Sequence, residues 1–126
     1  RKGHQYVTIR VVIAEDEAII RMDLRETLEE EGYEVVGETG RGDTAVDLVR
    51  DLLPDLAILD IKMPGMDGLE AARLINAEKL CGVLVRGEMG STRQVYEVHC
   101  ASRRFPGRTV DIQVNRLWRT CRRKKA

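Results

Sequence analysis

The chain has 126 residues, 43% of them hydrophobic and 33% charged, with 21 Lys and Arg against 21 Asp and Glu. That length suits one domain with a working core, and the composition excludes a disordered polar chain. No run reaches the ~18–20 apolar residues of a membrane span, and the N-terminal residues lack a signal-peptide-like apolar stretch, so a cytoplasmic protein with no membrane partner is expected.

Val7 to Ala14 (VTIRVVIA) is β-branched and mostly apolar, as a strand buried on both faces should be, and it runs into the acids Glu15, Asp16 and Glu17. From Ala18 to Glu31 the period changes, with Ile20, Leu24 and Leu28 recurring among charged residues. This spacing predicts an amphipathic helix, with Gly32 placed to end it in the left-handed conformation. Val35 and Val36 predict a short second strand. Asp43 or Thr44 is positioned to cap a second helix whose apolar stripe is Ala45, Val46, Val49, Leu52 and Leu53, and Pro54 stops it. Leu56 to Leu59 reads as a third strand between Asp55 and Asp60. After the turn-rich run Lys62-Met63-Pro64-Gly65-Met66-Asp67-Gly68, the residues Leu69, Ala72 and Ile75 mark a third helix. Residues 7–78 thus alternate β-α-β-α-β-α, which implies a parallel sheet with helices on both faces.

Beyond Leu80 the regularity fades. Gly82 to Val85 suits a fourth strand cut short by Arg86 and Gly87, Val95 to Val98 fits a strand or a helix, and Thr109 to Val114 alternates like an edge strand. Charge changes sign at the same place. Residues 1–80 carry 10 basic and 18 acidic side chains, and residues 81–126 carry 11 and 3. Cys81, Cys100, Cys121, Trp118 and Phe105 all fall in this second part. The expected organisation is therefore three βα units over 7–80 and a divergent basic segment over 81–126. That segment reads as strands 4 and 5 of the same sheet or as a tail translated out of frame.

In an open parallel sheet, ligands gather at the carboxyl ends of the strands where the strand order reverses. Strand 1 ends in Glu15 and Asp16, and strand 3 ends in Asp60. Two unit charges ~4 Å apart repel by about 4 kcal/mol at an effective dielectric near 20. A hard divalent cation removes that repulsion, and an all-oxygen site suits Mg²⁺. An aspartate beside such an ion can attack a phosphoryl group, because the ion neutralises charge on the transferring oxygens.

The run IAEDEAIIRMDLRETLEEEGYEVVGE, followed by PDLAILDIKMPGMDGLEAAR, resembles the receiver domain of two-component response regulators over about residues 9–80. Within that family it is most similar to the antiterminator-type (ANTAR) regulators. The resemblance implies a flavodoxin-like, doubly wound α/β sheet, here with an atypical C-terminal third. It implies Asp60 as phosphoacceptor for a sensor histidine kinase, and Glu15, Asp16, Asp60 and the Lys62 backbone carbonyl as ligands of Mg²⁺. It also implies a signalling switch rather than an enzyme, with no small-molecule substrate. Two family features have no counterpart. Counted from Asp60, the hydroxyl after strand 4 falls near Gly87 and the Lys after strand 5 near Thr109, with Ser91, Thr92 and Arg108 only close by.

Blander roles weigh against several residues. Asp60 alone would read as a strand-end aspartate, and Glu15 and Asp16 suit a helix N-terminus, as Glu17 does. His4 and His99 lack metal-ligand spacing, and the widely spaced cysteines predict free thiols. An aspartate-nucleophile phosphatase would want a second Asp where Lys62 stands. Two alternatives remain: a signalling-defective receiver fragment, and RNA binding through the basic segment 81–126, where basic residues accompany Trp118.

Overall fold

The computed structural model describes residues 8–89 and 92–98. Five strands and three helices alternate along the chain: β1 (Arg10–Ala14), α1 (Ala18–Glu30), β2 (Glu34–Thr39), α2 (Gly42–Leu52), β3 (Leu56–Asp60), α3 (Gly68–Ala77), β4 (Gly82–Met89) and β5 (Thr92–Val98). They form one sheet in the order β2-β1-β3-β4-β5. The first four strands are parallel, as the alternation predicts, and β5 returns antiparallel to β4. The result is a doubly wound, flavodoxin-like sheet with an atypical last strand.

The central strands are apolar on both faces because helices cover both. On one face Val11 and Ile13 of β1 and Ile58 of β3 pack with Leu24 and Leu28 of α1. On the other, Val12, Ala57, Leu59, Val83 and Val85 meet Ala45, Val46 and Val49 of α2 and Ala71, Ala72 and Ile75 of α3. Each fully buried aliphatic side chain of this size contributes roughly 1.5–3 kcal/mol. On β2, Val35 packs with the first layer and Val36 with the second, although the register against β1 shifts between Val11 and Val12.

Helix ends follow local chemistry, with one correction. α1 closes at Gly32, whose φ is +93°, and the Tyr33 amide donates back to the Leu28 carbonyl at 3.0 Å. The expected cap of α2 by Asp43 or Thr44 is not made. The helix starts earlier, with Arg41 as a cap that offers no side-chain bond, and Asp43 lies in the first turn, paired with Arg41 at 3.0 Å. The cause is tertiary: the Gly42 amide donates to the Pro64 carbonyl of the β3–α3 loop, which draws the helix start into that contact. Leu53, in the left-handed region, and then Pro54 terminate it.

α3 is capped by Asp67, whose carboxylate accepts from the Glu70 amide at 2.8 Å. Its inward face is Gly68, Ala71, Ala72 and Ile75, while Leu69 is exposed. Leu69 was expected in the stripe. Close packing of Gly68 on the Asp60 carbonyl sets the phase of the helix and turns Leu69 outward. β4 also runs past its predicted stop at Arg86 and Gly87: Arg86 is paired to both β3 and β5, and Gly87 to Met89 continue on the pairing with β5.

Among the described residues, no helix is long and apolar enough to cross a membrane, and Cys81 is a buried thiol that donates to the Gly82 carbonyl. Val7, His4, His99, Cys100, Cys121, Phe105, Trp118, Ser91, Arg108, the predicted strand at 109–114 and the basic tail from Arg116 lie outside the described residues.

Candidate functional site

The strand order reverses between β1 and β3, and there the two strands deliver their acids side by side. Parallel pairing aligns Ala14 of β1 with Leu59 of β3, so Glu15 and Asp60 emerge at the same level of the sheet. One carboxylate oxygen from each of Glu15, Asp16 and Asp60 lies within 4.8 Å of the others. Glu15 is buried, Asp60 half-buried and Asp16 exposed, so the cluster opens to solvent on one side. Lys62 follows in the β3–α3 loop with an exposed side chain.

Backbone contacts position Glu15 and Asp60. The Glu15 amide donates to the Thr39 carbonyl of β2 at 2.9 Å, which extends the ladder one residue past β1. Its carboxylate accepts from the Glu17 amide at 3.0 Å, closing the turn into α1. Arg21, one turn into α1, donates to the Glu15 carbonyl and pairs with Glu38 of β2 at 3.3 Å. Asp60 is followed by a tight connection in which the Ile61 amide donates to the Arg86 carbonyl at 2.9 Å and the Gly68 amide to the Ile61 carbonyl at 2.8 Å.

Crowded and partly dry, the carboxyls resist ionisation. Burial pushes Glu15 up to about 7, with the Asp60 charge acting in the same direction, while the Glu17 amide and the Arg86 charge oppose it. Burial also raises Asp60, against the Arg86 charge and with that of Asp16. Three hard oxygen donors at this spacing fit a small divalent cation such as Mg²⁺, which would relieve the repulsion between them.

The fourth charged group of the site is Arg86, which no sequence motif marks for chemistry. Arg86 stands directly across from Asp60 in the β3–β4 register, and its Nη2 lies 3.8 Å from Glu15 Oε1. Its side chain is only 5% exposed and that of Glu15 only 3%. The available signal was a cation at the end of the apolar run Val83-Leu84-Val85, in the expected fourth strand. Gly87, the position counted for a hydroxyl, lies against Ile61: a Cβ there would come within 2.7 Å of Ile61 Cδ1. Arg21, a positioning residue, reads in the sequence only as one of the charged residues between the apolar positions of α1.

A family model described as the response regulator receiver domain matches residues 11–99, which extends through β4 and β5. The transcriptional regulatory protein PdtaR of Mycobacterium tuberculosis is 55% identical over 76 residues, covering 60% of this chain and 37% of that protein. The chain therefore spans just over a third of that relative. The chemotaxis protein CheY of Thermotoga maritima is 36% identical over 89 residues, 70% of this chain and 74% of its own. Among solved structures, the signal receiver domain of the response regulator NarL from Mycobacterium tuberculosis superposes with a TM-score of 0.63 at 34% identity, covering 65% of this chain and 68% of that one.

Proposed function

Because this chain belongs to the response regulator receiver domains, we propose that it is a phosphorylation-dependent switch whose Asp60 accepts a phosphoryl group from a histidine kinase with the help of Mg²⁺. The observation that carries the proposal is the convergence of the Glu15, Asp16 and Asp60 oxygens within 4.8 Å at the strand-order reversal. An Asp60 carboxylate oxygen attacks phosphorus, the bond from phosphorus to the donor histidine nitrogen breaks, and the leaving imidazole keeps the electron pair and takes up a proton. Bound Mg²⁺ supplies charge neutralisation on the phosphoryl oxygens. Glu15, Asp16, Asp60 and the Lys62 backbone carbonyl are the ligands we assign to it. In this reading residues 7–80 are the first three βα units of the receiver, residues 81–126 are a divergent basic segment whose described part supplies β4 and β5, and the kinase partner implies a cytoplasmic location.

Incubation with Mg²⁺ and acetyl phosphate tests the assignment. One phosphoryl group should appear by intact mass and be absent from Asp60→Asn. Equal labelling of that variant would refute it.

A second reading, a receiver that is phosphorylated but transmits poorly, draws support from β5. Antiparallel pairing places Val98 opposite Val83, at the far end of β4 from Arg86. β5 therefore ends at the opposite end of the sheet from Asp60, whereas a parallel β5 would end beside the acceptor.

A further inference from the structure

Arg86 is the one buried basic residue at the described acidic edge, and the acceptor chemistry above does not use it. It lies in register with Asp60 on the neighbouring strand and within ion-pair distance of Glu15. Its position is fixed from both sides: its carbonyl accepts from the Ile61 amide, and its strand is paired to β3 and β5. At 4% residue exposure, water screens its charge little. A guanidinium cannot lose its charge in a protein, so it is a permanent cation facing the same carboxylates that a divalent ion would use.

We propose that Arg86 is a built-in counter-cation of the acidic pocket, which lowers the pocket's affinity for divalent cations by occupying the field of Glu15 and Asp60. The inference rests on the assignment of that pocket as a cation site. Two cations that share a carboxylate pair repel each other, so the ion binds only after overcoming the resident charge. In the absence of a divalent ion, Arg86 offsets part of the negative charge of the cluster, and this part requires no ligand. The magnitude follows from charge. Removing one unit charge several ångströms from a doubly charged ion in a partly dry site should strengthen binding by about tenfold or more.

The test is Mn²⁺ binding to the full chain, followed by the paramagnetic resonance of free Mn²⁺ at pH 8.5, above the raised value of about 7 for Glu15. Arg86→Gln should bind Mn²⁺ about tenfold or more tightly than the wild type, while Arg86→Lys, which keeps the charge, should bind close to the wild type. Circular dichroism monitors folding. Arg86→Met, which retains much of the buried volume without charge, serves if the Gln variant does not fold. Equal affinity in wild type and the neutral variants would overturn the role of Arg86 and leave the pocket assignment standing. Tighter binding in Arg86→Lys equal to that in Arg86→Gln would show a steric rather than an electrostatic effect, and also overturns it. Absence of Mn²⁺ binding in all of them would remove the pocket assignment and this inference together.

Discussion

Substituting Gly68 by Ala should couple fold stability to the geometry of the acceptor. A Cβ at this position would stand 2.1 Å from the Asp60 carbonyl oxygen, 2.8 Å from its carbon and 3.1 Å from Ile61 Cα. Non-bonded carbon contacts are comfortable near 3.5–4.0 Å, so β3 and the start of α3 must separate by on the order of 1 Å. Both groups are backbone, and no side chain can rotate away. Ala is better than Gly in a helix by about 1 kcal/mol. Against this stand roughly 1–3 kcal/mol for overpacking and about 1 kcal/mol for straining the bond from the Gly68 amide to the Ile61 carbonyl. The net expectation is a loss of roughly 1–3 kcal/mol, read as a lower midpoint in urea at unchanged slope. Labelling by acetyl phosphate should slow in the folded variant, because the carbonyl displaced belongs to Asp60 itself. A useful control is Gly32→Ala, with nothing within 4 Å of the added carbon but a φ of +93°, which should cost about 1 kcal/mol and leave labelling intact. If Gly68→Ala is as stable as the wild type and is labelled at the same rate, the close packing of α3 on the acceptor is refuted.

Two further outcomes concern the same region. Asp67→Ala removes the side-chain cap of α3 and should lower stability by about 1 kcal/mol in the same urea assay, with Asp67→Asn recovering most of it. Glu15 gives a pH signature in the presence of a chelator. Its carboxyl is raised in the folded chain from 4.5 to about 7, so folding favours the protonated form. The Glu15 contribution is therefore most favourable below pH 4.5, is lost as the pH rises towards about 7, and is constant above it. The total is on the order of 3 kcal/mol. Subtracting the profile of Glu15→Gln isolates it, and a difference that is flat across that window would count against the buried, crowded carboxyl.

The alternation of apolar runs and amphipathic periods over residues 7–78 was sufficient to order the elements through α3, because burial on both faces leaves β1 and β3 without polar interruptions. The acids of the site were legible for a related reason. Strand ends in a parallel sheet share one edge, so Glu15, Asp16 and Asp60 had to lie near one another once β1 and β3 were neighbours. Gly32 was equally readable, since a helix stop in the left-handed region favours Gly. The start of α2 and the facing of α3 were not, because both depend on contacts across the chain: Gly42 with Pro64, and Gly68 with the Asp60 carbonyl. Local capping preference at Asp43 and local periodicity at Leu69 each contribute about a kcal/mol and lose to packing.

What the linear sequence determined alone was thus the βα order, the switch-point acids and the change of charge at residue 80, all properties of short windows. Only the tertiary structure decided the direction of β5 and the place of Arg86. An antiparallel return after β4 depends on pairing between strands whose local patterns suit either direction. A lone arginine at the end of an apolar strand becomes a member of the site only when register sets it opposite Asp60 and within reach of Glu15.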